Sequence, residues 1–174
     1  TVSYGGLVSG DTLTGTYSGV FDNANVGTGK TVMITSSYGG TDVNNYTITD
    51  QASTTADVTA KALTATASAS NKTYDASDTA TTTLTLSGFI GTETVTSTNS
   101  STFNDKNVGT GKTVTVNSIT LADGTGLAAN YSISPGQTTT AHISKKLLTV
   151  SSISASNKTY DASDTATTTL TLSG

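Results

Sequence analysis

Cysteine, tryptophan and arginine are absent from these 174 residues, and proline, histidine, methionine and glutamate occur once each. Without cysteine there are no disulfides and no thiolate metal sites, although this leaves the compartment open. Without arginine there is no bidentate phosphate clamp, and a net charge of -4 repels a phosphate backbone, so nucleic acid is not an expected partner. No apolar run approaches the roughly 18 residues of a membrane span, so no membrane insertion is expected of this segment. One histidine (His142) and one glutamate (Glu93) provide neither a nucleophile–base pair nor a metal hydrolase site. Only carboxylate chemistry stays open. No catalytic, cofactor-binding or metal residue is assigned, and the chain is expected not to be an enzyme.

What is abundant is threonine, at 41 residues, in a chain that is only 33% hydrophobic. Disorder normally brings high net charge and few β-branched residues, which does not fit here. Threonine and valine suit a pleated strand because the branch at Cβ restricts χ1 yet packs well there. Leu84 and Leu86 alternate with threonine, as do Val114 and Val116, and Ala141 and Ile143 alternate with polar residues. These segments read as half-buried strands. Apolar spacing of three and four never persists, so no long helix is expected.

Self-similarity decides the organisation. Ser68–Gly88 (SASNKTYDASDTATTTLTLSG) returns letter for letter as Ser154–Gly174, 86 positions later. NVGTGKTV at Asn25–Val32 returns at Asn107–Val114, NNYTI around Tyr46 matches ANYSI around Tyr131, and TTADVTAK ending at Lys61 matches TTAHISKK ending at Lys146. The chain divides into a first copy over residues 1–61 without its opening residues, a complete second copy over 62–146, and the start of a third over 147–174. Residues 1–6 fall opposite 83–88. The expectation is an excised stretch of a longer array, with no export signal at Thr1.

Tyr74-Asp75 and Tyr160-Asp161, the central NVGTGKTV, Asn45-Tyr46 and Asn130-Tyr131, and the closing Thr-Ala-x-Val/Ile-x-x-Lys together resemble the YDG-type repeats. Those repeats, with the related MBG-type repeats, occur in large bacterial surface adhesins and filamentous-haemagglutinin-like exoproteins. The resemblance implies an extracellular stalk or fibre and brings no catalytic residues. The glycine that names the family is Ala76 here and Ala162 in the last copy, which argues against a glycine-only backbone at that position.

The expected fold is all-β, a tandem array of small antiparallel immunoglobulin-like sandwiches, with a β-grasp-like sheet as the alternative. GTG at Gly109–Gly111 and DGTG at Asp123–Gly126 read as loop or hairpin-tip chemistry. GTGKT at Gly27–Thr31 and Gly109–Thr113 is not a phosphate loop: Ala24 and Lys106 stand where its first glycine belongs, and a strand-like segment follows. Between Lys146 and Ser156 the sequence stays extended and contains neither glycine nor proline, which predicts units joined without slack.

Four further readings concern sites. Asp75, Asp78, Asp161 and Asp164 could offer oxygens to Ca²⁺, but turn capping accounts for them better. His142 alternates onto the solvent face, where the first copy has Asp57. Tyr46 and Tyr131 are expected to bury their rings and hydrogen-bond the backbone; carbohydrate binding by surface tyrosines is the alternative. A lysine–asparagine isopeptide crosslink needs a buried Lys, Asn and carboxylate triad and would show as the loss of one ammonia from the intact mass.

The functional expectation is a stiff spacer module of an extracellular adhesin or fibre, with neighbouring repeat units as partners. The alternatives are a repeated glycan- or calcium-binding module, and strand donation between copies of the chain in a fibre. Donation fails if Leu170 and Leu172 lie exposed and unpaired.

Overall fold

The computed structural model describes residues 5–174; the expected match of residues 1–4 to the strand around Leu84 lies outside the described residues. Strands cover the segments in which apolar and hydroxyl residues alternate: β1 (Thr14–Phe21), β2 (Gly27–Gly39), β3 (Ser53–Val58), β4 (Lys61–Ala62), β5 (Thr64–Ala69), β6 (Lys72–Thr73) and β7 (Thr79–Ala80). They continue with β8 (Thr82–Ser87), β9 (Val95–Phe103), β10 (Gly109–Asp123), β11 (Tyr131–Ser132), β12 (Thr138–Ser144), β13 (Thr149–Ala155) and β14 (Thr168–Ser173). Among the described residues the only helical segments are two single 3₁₀ turns, Val43–Asn45 and Ala128–Asn130. The fold is therefore all-β. Contacts gather the residues into two compact units.

The first unit runs through Leu63 and takes in Phe89–Val95 and Asp123–Ser132. Its main sheet is three-stranded, in the order β1-β2-β3, with both pairings antiparallel. A short parallel pair joins β11 to β4. Leu63, Val95 and Tyr131 are its buried apolar side chains. Around them Phe89 meets the Tyr131 ring edge-on at 5.7 Å, a favoured geometry because the positive ring edge faces the negative π-face.

The second unit holds a five-stranded sheet in the order β6-β12-β10-β9-β7 and two hairpins, β5–β8 and β13–β14. Alternation puts Val114 and Val116 of β10 and Ala141 and Ile143 of β12 on one face, each 3% exposed or less. Val114, Ala141 and Ile143 build the core with Phe103 and Ala80, and Ala69 and Tyr74 pack against it. Burying a side chain of this size contributes about 1.5–3 kcal/mol, before the entropy of ordering it. The outermost strands β6 and β7 are separated in the chain only by Tyr74–Asp78, so this segment straps one sheet edge to the other. Tyr74 N–H donates to the Ser144 carbonyl at one end of the strap, and Phe103 N–H donates to the Asp78 carbonyl at the other.

Two expectations are corrected. Gly109–Gly111 is not a hairpin tip, and neither is its first-copy counterpart Gly27–Gly29. They open β2 and β10 as β-bulges, where two residues oppose one across the ladder and Gly29 (φ 58°) and Gly111 (φ 60°) take the left-handed backbone. Nor does alanine at the family's glycine position prevent a left-handed backbone: Ala76 sits at φ 66° and Ala162 at φ 59°. The neighbouring turn hydrogen bonds hold that conformation against a steric cost of about 1–2 kcal/mol.

Candidate functional site

The sequence's recurring polar residues are matched by recurring hydrogen bonds. The Tyr131 hydroxyl donates to Glu93 at 2.6 Å and accepts from Ile90 N–H at 3.2 Å. Tyr46 repeats this with Asp11 at 2.6 Å and Val8 N–H at 3.0 Å. In both, hydrogen bonding to the carboxylate raises the tyrosine above its ordinary value near 10. The expected backbone partner is present, and the carboxylate is the part that sequence reasoning missed. Its signal was there: Asp11 and Glu93 occupy the same aligned position in the two copies.

Each bulge leaves a glycine N–H outside the ladder, and the side chain directly opposite accepts it: Asp57 for Gly29 at 2.7 Å, His142 Nδ1 for Gly111 at 2.8 Å. His142 is exposed, as its alternation predicts. The GTGKT lysines follow the bulges near the start of β2 and β10 and reach back over the preceding loop. Lys112 Nζ sits 2.7 Å from Asp105 with its side chain 9% exposed. In the first copy Lys30 donates to the carbonyls of Asn23 and Asn25 and to Asn23 Oδ1, with Asp22 at 3.3 Å. Lys30, Asn23 and Asp22 are thus brought together, but three acceptors for three N–H bonds describe an ammonium cap on a loop rather than an amine poised to attack.

Of the acidic residues, Asp75 and Asp161 cap turns. Asp75 Oδ1 accepts from Ser77 N–H at 2.9 Å and lies 2.8 Å from Lys72 Nζ; Asp161 repeats both contacts with Ser163 at 3.0 Å and Lys158 at 2.8 Å. These lysine and N–H donors hold the Asp75 and Asp161 carboxyls below the usual 3.8. Lys72 also donates to the Ser77 and Thr79 carbonyls and stands 5.7 Å above the Phe103 ring, a cation–π distance. The roles of Lys72–Thr73 and Thr79–Ala80 as edge strands were not legible in the sequence. Among the described residues no three His, Asp or Glu side chains gather as metal ligands, and no helix is long and apolar enough to cross a membrane.

Two surfaces stand open instead, a mainly polar cleft and an apolar hairpin face. On the β1-β2-β3 sheet a cleft of about 700 Å³ is lined by Leu13, Ile34 and Tyr46 among others. Their aligned counterparts Val95, Val116 and Tyr131 are all buried. Phe21 is 36% exposed where Phe103 is 2%. On the β13–β14 hairpin, Leu148, Val150, Ile153, Leu170 and Leu172 are each more than half exposed. Leu170 and Leu172 are exposed but not unpaired, since their main chains lie in the ladder with Ile153 and Val150.

The YDG domain family profile matches residues 1–56 and again residues 59–141. No curated protein and no solved structure matches the chain. The two family matches span the recurring tyrosine–carboxylate pairs, bulge glycines and loop-capping lysines but stop short of the bulge acceptors Asp57 and His142, and on that coverage the chain belongs to the YDG domain family.

Proposed function

We propose that this chain is a structural spacer segment of an extracellular adhesin or fibre, a tandem array of small β-sandwich units that transmits tension along the polypeptide. The observation that carries the reading is the recurrence of one hydrogen-bonded framework in both copies: tyrosine–carboxylate pair, bulge acceptor and lysine loop-cap. These devices consume the polar side chains in holding the backbone. The connections between copies support it too. Only Thr59 and Ala60 separate β3 from β4, and residues 145–148 separate β12 from β13, with no glycine or proline in either. Such short connections leave little slack between successive copies of the repeat.

Single-molecule pulling of the 174-residue chain tests the reading. Discrete unfolding events under load are expected, together with extended rather than coil-like small-angle scattering. Low-force featureless extension would overturn it, and so would saturable binding on a glycan array or a Ca²⁺-dependent rise in melting temperature, which would favour a binding module.

A further inference from the structure

Asn130 and Tyr131 are adjacent in the chain, yet their side chains serve different copies of the repeat. Tyr131 stays within the second copy, where its hydroxyl meets Glu93 and the Ile90 N–H and its ring meets Phe89. The Asn130 side chain reaches the first copy instead. Its Oδ1 accepts from Val26 N–H, 104 positions earlier, at 2.9 Å, and its Nδ2 donates to Asn25 Oδ1, also at 2.9 Å. One carboxamide thus spends both its acceptor and its donor on a single dipeptide, which makes the contact directional.

Both partners are held by their own copies. Asn130 closes the 3₁₀ turn Ala128–Asn130, with its N–H on the Leu127 carbonyl at 3.0 Å and the Ala128 N–H on Asp123 Oδ1 at 2.7 Å. In the first copy, Asn25 N–H donates to Asn23 Oδ1 at 3.0 Å, and the Asn25 carbonyl accepts from Lys30 Nζ at 2.8 Å. The Asn25–Val26 peptide group is therefore bonded from two sides, its C=O by the lysine of its own copy and its N–H by the asparagine of the next. The connection from β3 to β4 is fastened at both ends as well. Val58, where β3 ends, pairs with Gly27, the residue after Val26. Lys61–Ala62 pairs with Tyr131–Ser132, and Leu63 N–H donates to the Ser132 carbonyl at 2.8 Å. All of these residues belong to the first compact unit.

We propose that the grip of Asn130 on Asn25–Val26 is the interface by which one copy of the repeat docks on the copy before it. Both halves of the contact recur in the sequence: Asn-Val stands again at Asn107–Val108 ahead of the second bulge, and Asn-Tyr at Asn45–Tyr46. The partner recognised is another copy of the same repeat, read through a peptide N–H and a carboxamide rather than through charge or an apolar patch. In the Asn-Tyr pair, tyrosine anchors the turn to its own copy and asparagine engages the preceding one. The interface deepens the spacer reading and rests on it for its role, since a docked junction passes on a load that a free tether would absorb by stretching.

Hydrogen exchange of the 174-residue chain tests the proposal at Val26, whose amide lies one residue ahead of β2 and is held by Asn130. That amide should be protected, and Asn130→Ala should speed its exchange at least about fivefold, as the loss of one hydrogen bond predicts. The amides of Val114 and Val116 in the five-stranded sheet should keep their rates, which shows that the variant still folds. Asn25 is exposed, so Asn25→Ala repeats the test without touching the 3₁₀ turn; a smaller rise is expected there, and none from Asn25→Asp, which keeps the acceptor for Asn130 Nδ2. A Val26 amide that is unprotected, or that neither alanine variant quickens, overturns the proposal. Exchange is read without load, so a featureless pulling trace would remove the spacer reading and leave the docking contact standing, while an unaltered Val26 rate in both variants would do the reverse.

Discussion

One sequence, Ser68–Gly88 and its repetition at Ser154–Gly174, behaves differently in two places, and the difference separates what is local in this fold from what is not. The turns are the same in both. Asp75 and Asp161 cap Ser77 and Ser163, Lys72 and Lys158 reach the Ser77 and Ser163 carbonyls at 2.8 and 2.7 Å, and Ala76 and Ala162 share the left-handed backbone. The hairpin registers agree as well. Burial and edge pairing do not carry over, because they need β9, β10 and β12 as a surface to close upon. Turn chemistry is thus written within a few residues, while the core belongs to the assembled sheet.

The sharpest way to break this comparison is to remove matched aromatic rings. Phe103→Ala should cost about 3–5 kcal/mol in the second-copy sheet, as expected for a fully buried ring, while Phe21→Ala in the open sheet should cost at least about 2 kcal/mol less. Hydrogen exchange resolved along β1–β3 and β9–β12 reads the two separately. Equal costs would mean that the first-copy sheet is already closed in solution.

The strap offers the next contrast. Tyr74→Ala should destabilise the second unit by about 1–2 kcal/mol, since the ring is partly buried against the core. Tyr160→Ala should fall within about 0.5 kcal/mol of the unaltered chain in dilute monomer, as surface changes do.

Relief of backbone strain comes third. Ala76→Gly removes a left-handed alanine whose cost is about 1–2 kcal/mol, offset in part by about 0.5–1 kcal/mol of glycine entropy in the unfolded chain. A net gain of about 0.5–1 kcal/mol in urea melts of the second unit is expected. The same change at Ala162 should leave that melt unaltered, because the third-copy strap closes no sheet.

How much of this could be read in advance follows the same division. Alternation located β8, β10 and β12, since Leu84, Val114, Val116, Ala141 and Ile143 signal a period of two on their own. The exposed His142 and the hydrogen-bonded Tyr131 were legible for the same local reason. The bulges were mistaken for hairpin tips because left-handed glycine marks both, and only the partner strand, with Asp57 or His142 facing the glycine N–H, tells them apart. Lys72–Thr73 and Thr79–Ala80 were illegible as edge strands: two residues carry no periodicity, and their partners are up to 71 positions away. The candidate surfaces were readable only in outline. Leu170 and Leu172 were legible as strand residues from their alternation with threonine, but their facing Ile153 and Val150 in a hairpin was not.

Acid provides the smallest contrast, and it tests the local half of the division. Asp75 and Asp161 are held below 3.8 by the same two leading causes, first the lysine hydrogen bond (Lys72 or Lys158), then the serine N–H (Ser77 or Ser163). A carboxyl whose folded value is depressed contributes stability that is present above the unfolded value and is lost as pH falls through the folded one. Both turns should therefore hold at pH 4 and loosen only below it, with carbon-detected carboxyl titrations of Asp75 and Asp161 both centred below 3.8. The consequences then part. Protonating Asp75 loosens the strap joining β6 to β7, so amide protection in the five-stranded sheet should decline over that window; protonating Asp161 frees only an exposed loop. Titrations centred apart for the two aspartates would show that the turn depends on the surface it packs against, and the separation of local from assembled structure would fail at its simplest point.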